Sequence, residues 1–268
     1  AQNNLGNLLS SWREYAKAEA HYRHALAREP DNAEVICNLA IALYDQSRYG
    51  EAETLTRMAL AIDATFAGAH RNLGHILQSK GDFRGAEACF KDAIRHAPQS
   101  LANYDSYLFT LNYDPDLSES DVFDVYREFD QAFGMPIRSA WSIHGNDRSP
   151  ERRLRVGYMS PDLRQHTVAC FLEPLMANHD HDRFEIFAYA ELDREDHVTS
   201  RFRGYADHWR CTLGLSDEQV CGQIERDQID ILVDLAGHTT GHRLMVFARK
   251  PAPVSLTWLG YGYTTGLS

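Results

Sequence analysis

Two hydrophobic rhythms divide the chain. Over residues 1–100, apolar and small side chains return at a step of 34. Asn4-Leu5-Gly6, Asn38-Leu39-Ala40 and Asn72-Leu73-Gly74 keep it, and so do Tyr15, Tyr49 and Phe83. Ala18, Ala52 and Ala86, and then Ala25, Ala59 and Ala93, follow the same step, with Pro30, Ala64 and Pro98 closing the units. The pattern predicts a pair of antiparallel helices per unit, the alanines admitting close helix contact and the aromatic residues filling the gaps between units. From Leu101 to Gly134 the period lapses. Ser118 and Asp121 there predict the cap of a helix running to about Phe133, with Val122, Val125, Tyr126 and Phe129 on one face. The polar, proline-containing stretch Asn146 to Arg153 reads as a linker. After it come short apolar runs rich in β-branched and aromatic residues: Leu154 to Met159, Phe184 to Ala190, Ile229 to Leu235 and Val254 to Leu259, with a further short strand near His208 to Cys211. Helical patterns separate them at Thr167 to Ala177, at Asp217 to Arg226 behind a Ser216-to-Gln219 capping box, and at Arg243 to Ala248.

The first rhythm is that of the tetratricopeptide repeat, whose stacked units make a superhelix with a concave groove lined by the first helix of each pair. Asn4, Asn38 and Asn72 recur on one face of those helices. A carboxamide both donates and accepts, so a row of them suits a peptide backbone whatever its side chains. Contacts between neighbouring helices would use the same residues. The next rung falls on Ser106, where the row stops. The chain begins inside a repeat, which leaves room for further units upstream.

The second rhythm, strands alternating with helices, implies a parallel sheet with right-handed crossovers, and such sheets bind ligands beyond the carboxyl ends of their strands. Composition narrows what the ligand is. A formal net charge of -11 argues against nucleic acid, which needs a basic patch. No apolar run approaches the ~18 residues of a membrane span, and no signal peptide opens the chain. Five widely spaced cysteines without a CxxC pair give neither a disulfide framework nor a zinc site, so a reducing cytoplasm is the expected location. His179-Asp180-His181 lacks metal-ligand spacing and reads as a solvated loop.

Three polar turns leave the expected carboxyl edge: Ser160 to Val168 (SPDLRQHTV), Ala236 to His242 (AGHTTGH) and Gly260 to Gly266 (GYGYTTG). His166 stands at the start of the first helix after the first strand. The partial positive charge of a helix amino terminus disfavours a protonated imidazole, so a neutral His166 able to accept a proton is expected there. A plain helix-capping role is the competing explanation. Gly260, Gly262 and Gly266 allow close backbone approach, and Thr239, Thr240, Thr264 and Thr265 offer hydroxyls. His242 reads as a helix-start residue. GYGYTTG departs from the dinucleotide fingerprint, and no Ser-His-Asp triad, metal-ligand cluster or P-loop lysine is present, so no catalytic metal is expected.

The order of these pieces, repeats and then RLRVGYMSPDLRQHTV, IDILVDLAGHTTGHRL and RKPAPVSLTWLGYGYTTGL, closely resembles the O-linked N-acetylglucosamine transferase family, including its bacterial homologues and the SPINDLY-type O-fucosyltransferases. The resemblance implies an α-helical tetratricopeptide superhelix followed by an α/β Rossmann-like lobe, the first half of a GT-B glycosyltransferase. Residues 1–100 would be the repeats, 101–153 a helical connecting region and linker, and 154–268 the N-terminal catalytic lobe. It implies an inverting, metal-independent transfer of N-acetylglucosamine from UDP-GlcNAc, a substrate rather than a cofactor, to Ser or Thr of a protein held in the repeat groove by Asn4, Asn38 and Asn72. It places His166 as the catalytic histidine, and Asp162, Gly237, His238, Thr239, Gly260 and Tyr261 at the donor and acceptor cleft. Relatives usually carry proline where Gly262 stands, which predicts a looser last loop. The second lobe, with its diphosphate-binding lysine, lies outside the sequence, so residues 1–268 alone are not expected to transfer sugar. Alternatives are a SPINDLY-type O-fucosyltransferase using GDP-fucose, and a non-catalytic repeat scaffold.

Overall fold

A computed structural model describes residues 1–268, which form two compact units, Ala1–Ser118 and Glu119–Ser268. The first is a stack of helix pairs: α1 (Gln2–Ser11) with α2 (Tyr15–Leu26), α3 (Ala33–Tyr44) with α4 (Tyr49–Ile62), and α5 (Ala67–Ser79) with α6 (Phe83–His96). The 34-residue period is a packing device. A Cβ on Gly6 would stand 2.5 Å from the Tyr22 ring, and one on Gly74 2.5 Å from the Phe90 ring, so each aromatic lies directly on a glycine of the partner helix. The second helix pair has Ala40 and Thr56 at the equivalent places, both wholly buried. Ala18, Ala52, Ala86, Ala59 and Ala93 are likewise wholly buried. Where the sequence period lapses, the stack continues for one more helix, α7 (Leu101–Leu111), which packs on α6 and α5. Its buried Asn103 donates from Nδ2 to the Ala93 carbonyl at 2.9 Å.

The second unit opens with α8 (Glu119–Phe129), which runs on through a π turn (Asp130–Gly134) and a 3-10 turn (Met135–Ala140). A five-stranded sheet follows, in the order β3-β2-β1-β4-β5 and parallel throughout: β1 (Leu154–Ser160), β2 (Phe184–Ala190), β3 (His208–Cys211), β4 (Ile231–Asp234) and β5 (Val254–Thr257). Helices α9 (Thr167–Ala177), α10 (His197–Tyr205), α11 (Asp217–Arg226) and α12 (Leu244–Ala248) connect them. Along β2, Ile186, Ala188 and Ala190 enter one core with Leu172 of α9 and Phe202 of α10. Phe187 and Tyr189 enter the other, with Val220 and Ile224 of α11 and Val246 of α12. The period of two sends alternate residues to opposite faces, which makes a three-layer sandwich.

The expected elements recur with three differences. The apolar run Ile229 to Leu235 is a strand only over β4, although single backbone bonds continue past it, Asp230 N–H to the Arg155 carbonyl at 2.9 Å and Leu235 N–H to the Met159 carbonyl at 3.1 Å. The Asp230 carboxylate takes the Arg155 N–H (2.8 Å) and both Nη atoms of Arg152 (2.6 Å each). β5 stops at Thr257: the Trp258 N–H makes the last ladder bond, to the Asp234 carbonyl at 2.9 Å, and the chain then turns, with the Gly260 N–H donating to the Trp258 carbonyl at 2.9 Å. Helix α10 was not predicted. The polar stretch 146–153 is pinned at the amino edge of the sheet, Asn146 joining Arg152 on Asp230 at 2.7 Å.

Candidate functional site

The strands end in step: Ser160 pairs with Ala190, Ala190 with Cys211, Met159 with Asp234, and Asp234 with Thr257. The loops after β1 and β4 therefore leave side by side, at the point where strand order reverses and where doubly wound sheets bind ligands.

In the β1 loop, buried Ser160 accepts the Asp162 N–H on its Oγ at 2.9 Å, and wholly buried Leu163 plugs the core beneath. His166 emerges as the N-cap of α9, its backbone extended at φ -153 and ψ 160, its Nδ1 accepting the Val168 N–H at 3.3 Å. The capping role is thus real, and a ring nitrogen that accepts this N–H leaves the proton of the neutral imidazole on Nε2. The side chain is 45% exposed, open enough for a reactant to reach it. Asp162 Oδ2 lies 3.7 Å from Nδ1. Burial pushes the Asp162 carboxyl up, while His166 and Arg164 partly counter that shift.

The β4 loop is built on Asp234, which is 2% exposed. Its carboxylate accepts the Ala236 and Gly237 N–H groups at 3.1 and 2.8 Å and the Thr257 hydroxyl at 2.7 Å. The sequence reading missed this residue; the available signal was an acid ending an apolar run just before a glycine. Gly237, at φ +56, lets Tyr261 approach so closely that a Cβ would sit 2.3 Å from the tyrosine Cβ. Thr239 spends its hydroxyl on the Ala236 carbonyl at 2.8 Å. Gly241, at φ +82, lies over Pro161, so the β1 and β4 loops touch. His242 starts α12 by accepting the Leu244 N–H on Nδ1 at 3.1 Å.

His238 is buried, its Nε2 donating to the Thr265 carbonyl at 2.9 Å. Phe129 meets its ring edge-on at 4.7 Å, and Tyr126 and Tyr261 stand at 5.4 and 5.5 Å. The hydroxyls of Tyr126 and Tyr261 are 2.6 Å apart. Helix α8 is therefore a wall of this edge, a role its sequence did not signal. Gly260 is wedged against Leu235. The structure thus gathers Gly237, His238, Thr239, Gly260 and Tyr261 tightly, with His166 and Asp162 on the adjoining loop. A cavity of about 680 Å³ opens beside them along β5, lined by Trp141, Asp234, Thr257 and Thr265; His166 is not among its lining residues. No group of three or more His, Cys, Asp or Glu is placed to hold a metal ion, and no helix is long and apolar enough to cross a membrane.

In the first unit, Asn38 Nδ2 donates to Asn3 Oδ1 (3.0 Å) and Asn7 Oδ1 (3.2 Å), and Asn72 Nδ2 to Cys37 Sγ (3.4 Å). Each of these two carboxamides reaches back to the first helix of the preceding unit. The sideways partners of Asn38 are Asn3 and Asn7, while Asn4 is exposed on α1. Ser106 closes the row on His75 Nε2 at 3.1 Å.

Tetratricopeptide helices followed by a parallel α/β lobe with its loops gathered at one edge are the architecture of a GT-B glycosyltransferase's first half. Residues 136–268 match glycosyl transferase family 41, and residues 13–65 and 67–100 match tetratricopeptide repeats. The chain belongs to the family of O-GlcNAc transferase and SPINDLY-like proteins. It is 33% identical over 174 residues to the probable UDP-N-acetylglucosamine–peptide N-acetylglucosaminyltransferase SPINDLY of Solanum lycopersicum, covering 63% of this chain and 19% of that protein. The Arabidopsis thaliana SPINDLY protein is 32% identical over 176 residues, with the same two shares. The solved structure of a Thermobaculum terrenum O-GlcNAc transferase mutant, K341M, superposes with a TM-score of 0.86 at 32% identity, covering 99% of this chain and 51% of that one. The chain thus spans about a fifth of the curated relatives and about half of the bacterial transferase.

Proposed function

We propose that the chain supplies the acceptor groove and the first catalytic lobe of an inverting, metal-independent glycosyltransferase that moves N-acetylglucosamine from UDP-GlcNAc to Ser or Thr of a protein. The observation that carries this reading is the placement of His166: exposed, at a helix amino terminus, beside a buried carboxylate, on the loop that adjoins the β4 loop where strand order reverses. The repeats would hold the acceptor along the face bearing Asn4, Asn38 and Asn72. The unpaired cysteines fit a reducing cytoplasm.

In the reaction, the acceptor oxygen attacks the anomeric carbon as its bond to the diphosphate breaks, and UDP leaves from the opposite face. The acceptor proton passes to His166. For that, Nε2 must carry the lone pair, so the ring proton must sit on Nδ1. Nδ1 then gives up the Val168 N–H and turns to Asp162 Oδ2, which steadies the imidazolium as it forms. Positioned proton transfer of this kind contributes roughly a hundred- to ten-thousand-fold.

The test is calorimetric titration of the full-length protein with UDP, UDP-GlcNAc, GDP and GDP-fucose, together with transfer assays of His166→Ala. The expected result is binding of the uridine pair, and a loss of transfer of about a hundred-fold or more in the variant with nucleotide affinity retained. Binding of the guanosine pair would reassign the donor to GDP-fucose. Turnover of His166→Ala within a few-fold of wild type would remove the base, and binding of neither pair would leave a scaffold.

A further inference from the structure

The β1 loop is held from outside by the loop between β2 and α10. Asp196 is the N-cap of α10, where its Oδ1 accepts the Val198 and Thr199 N–H groups at 2.8 and 3.0 Å. Thr199 Oγ1 completes a capping box by accepting the Asp196 N–H at 3.2 Å. Those bonds use one carboxylate oxygen. The other, Oδ2, crosses to the β1 loop and accepts the N–H of Gln165 at 2.8 Å. Gln165 immediately precedes His166. A second tether lies beside it, Arg164 Nη1 donating to Asp193 Oδ1 at 2.7 Å. A helix cap needs only one acceptor oxygen, and serine or asparagine would serve as well. The second oxygen does work that capping α10 does not require.

We infer that Asp196 is a positioning residue for His166: one carboxylate oxygen caps α10 while the other sets the loop backbone from which the imidazole is presented. The inference deepens the proposed function and rests on it. His166 is about half exposed and is held by one long bond to Val168. Its placement therefore depends on the backbone before it, and misplacement of reacting groups by about 1 Å costs up to a hundred-fold in rate.

The decisive variant is Asp196→Asn. Its amide oxygen keeps the α10 cap, and its amide nitrogen sets a donor against the Gln165 N–H. Val198→Ala is the control, since it trims a buried side chain of α10 and leaves the carboxylate untouched. In the full-length protein, Asp196→Asn is expected to lower kcat by about ten-fold with KM for the donor and Tm near wild type. Val198→Ala is expected to lower Tm and leave kcat alone. In the isotope-labelled 268-residue chain, Asp196→Asn should speed amide exchange at Gln165, spare Val198 and Thr199, and shift the His166 ring signals. A kcat within about two-fold of wild type, or one that merely follows stability as Val198→Ala does, overturns the inference. Should wild type transfer nothing, the enzyme reading fails instead. The ring signals then judge the tether, and an unchanged His166 spectrum in Asp196→Asn sinks it.

Discussion

Gly260 leaves no room for a side chain. A Cβ there would lie 1.8 Å from the Leu235 carbonyl oxygen and 2.5 Å from the Ala236 nitrogen, so the backbone passes too near the Leu235–Ala236 peptide for any side chain to fit between. Gly237 does the same for Tyr261. From sequence, Gly260 reads as a place of close backbone approach, with nothing to say what comes near. In the fold both glycines admit the neighbouring loop, and the loops after β4 and β5 become one body. Gly262, two residues on, has nothing within 4 Å of its would-be Cβ. Gly260→Ala should therefore destabilise the α/β unit by about 1–3 kcal/mol, because only backbone could yield. Gly262→Ala should change it by less than ~0.5 kcal/mol. Urea unfolding of both variants makes the comparison, and equal midpoints would show that the contact relaxes at no cost.

Elements whose stability comes from a repeated apolar spacing were legible in the sequence; those set by single polar contacts were not. Helices α1 to α6 declared themselves because Ala18, Ala52 and Ala86 recur in register. α9 and α11 did so through an apolar face and a Ser-to-Gln capping box. Helix α10 went unseen because only Val198 and Phe202 mark its core side, among arginines and a glycine, and its capping box, Asp196 with Thr199, departs from the Ser/Thr-x-x-Glu/Gln pattern. His166 could be found because strand, polar turn and helix follow one another locally. Tyr126 could not, since its partners come from other elements, whereas Asp234 was missed although two of its three partners, the Ala236 and Gly237 N–H groups, are local. The repeat also predicts its own energetics. Gly74 beneath Phe90 and Ala40 level with Thr56 are alternative fillings of one slot. Gly74→Ala should cost about 1–3 kcal/mol by forcing the wholly buried Phe90 ring aside. Combined with Phe90→Thr, the substitution should cost less than the sum of the two, with a coupling of about 1 kcal/mol in a double-mutant cycle. Strict additivity would mean that the two positions do not share a space.

Both units meet acid with carboxylates that the fold prefers charged. In the repeats, burial raises the Glu19 carboxyl, but hydrogen bonds from Gln46 and Arg48 bring it below the ordinary range. In the α/β unit, burial is likewise outweighed at Asp230 by Arg152, the Arg155 N–H and Asn146, and at Asp227 by Arg210 and Tyr189. Groups lowered in the fold stabilise it above their unfolded values, near pH 4, and lose that contribution as pH falls through the lower folded values. His75 acts earlier. Burial, with the charge of Arg71, lowers it to about 4, and Ser106 and the Phe90 ring pack on it. Between about pH 6.5 and 4 the unfolded chain then binds a proton that the folded chain refuses, so stability falls as pH drops across that window. Burial also lowers His179 in the α/β unit, which adds a decline of the same sign there. The repeats' share is separable with His75→Gln, which does not titrate. Wild type should exceed His75→Gln in unfolding free energy by its largest margin near pH 7, and the margin should shrink by about 2 kcal/mol on descending to pH 4. Below that the two curves should fall together as the shared carboxylates protonate. Denaturant titrations at pH 7, 5.5 and 4 measure the margin, and a margin that stays constant across them would show that His75 is no less basic in the fold than in the unfolded chain.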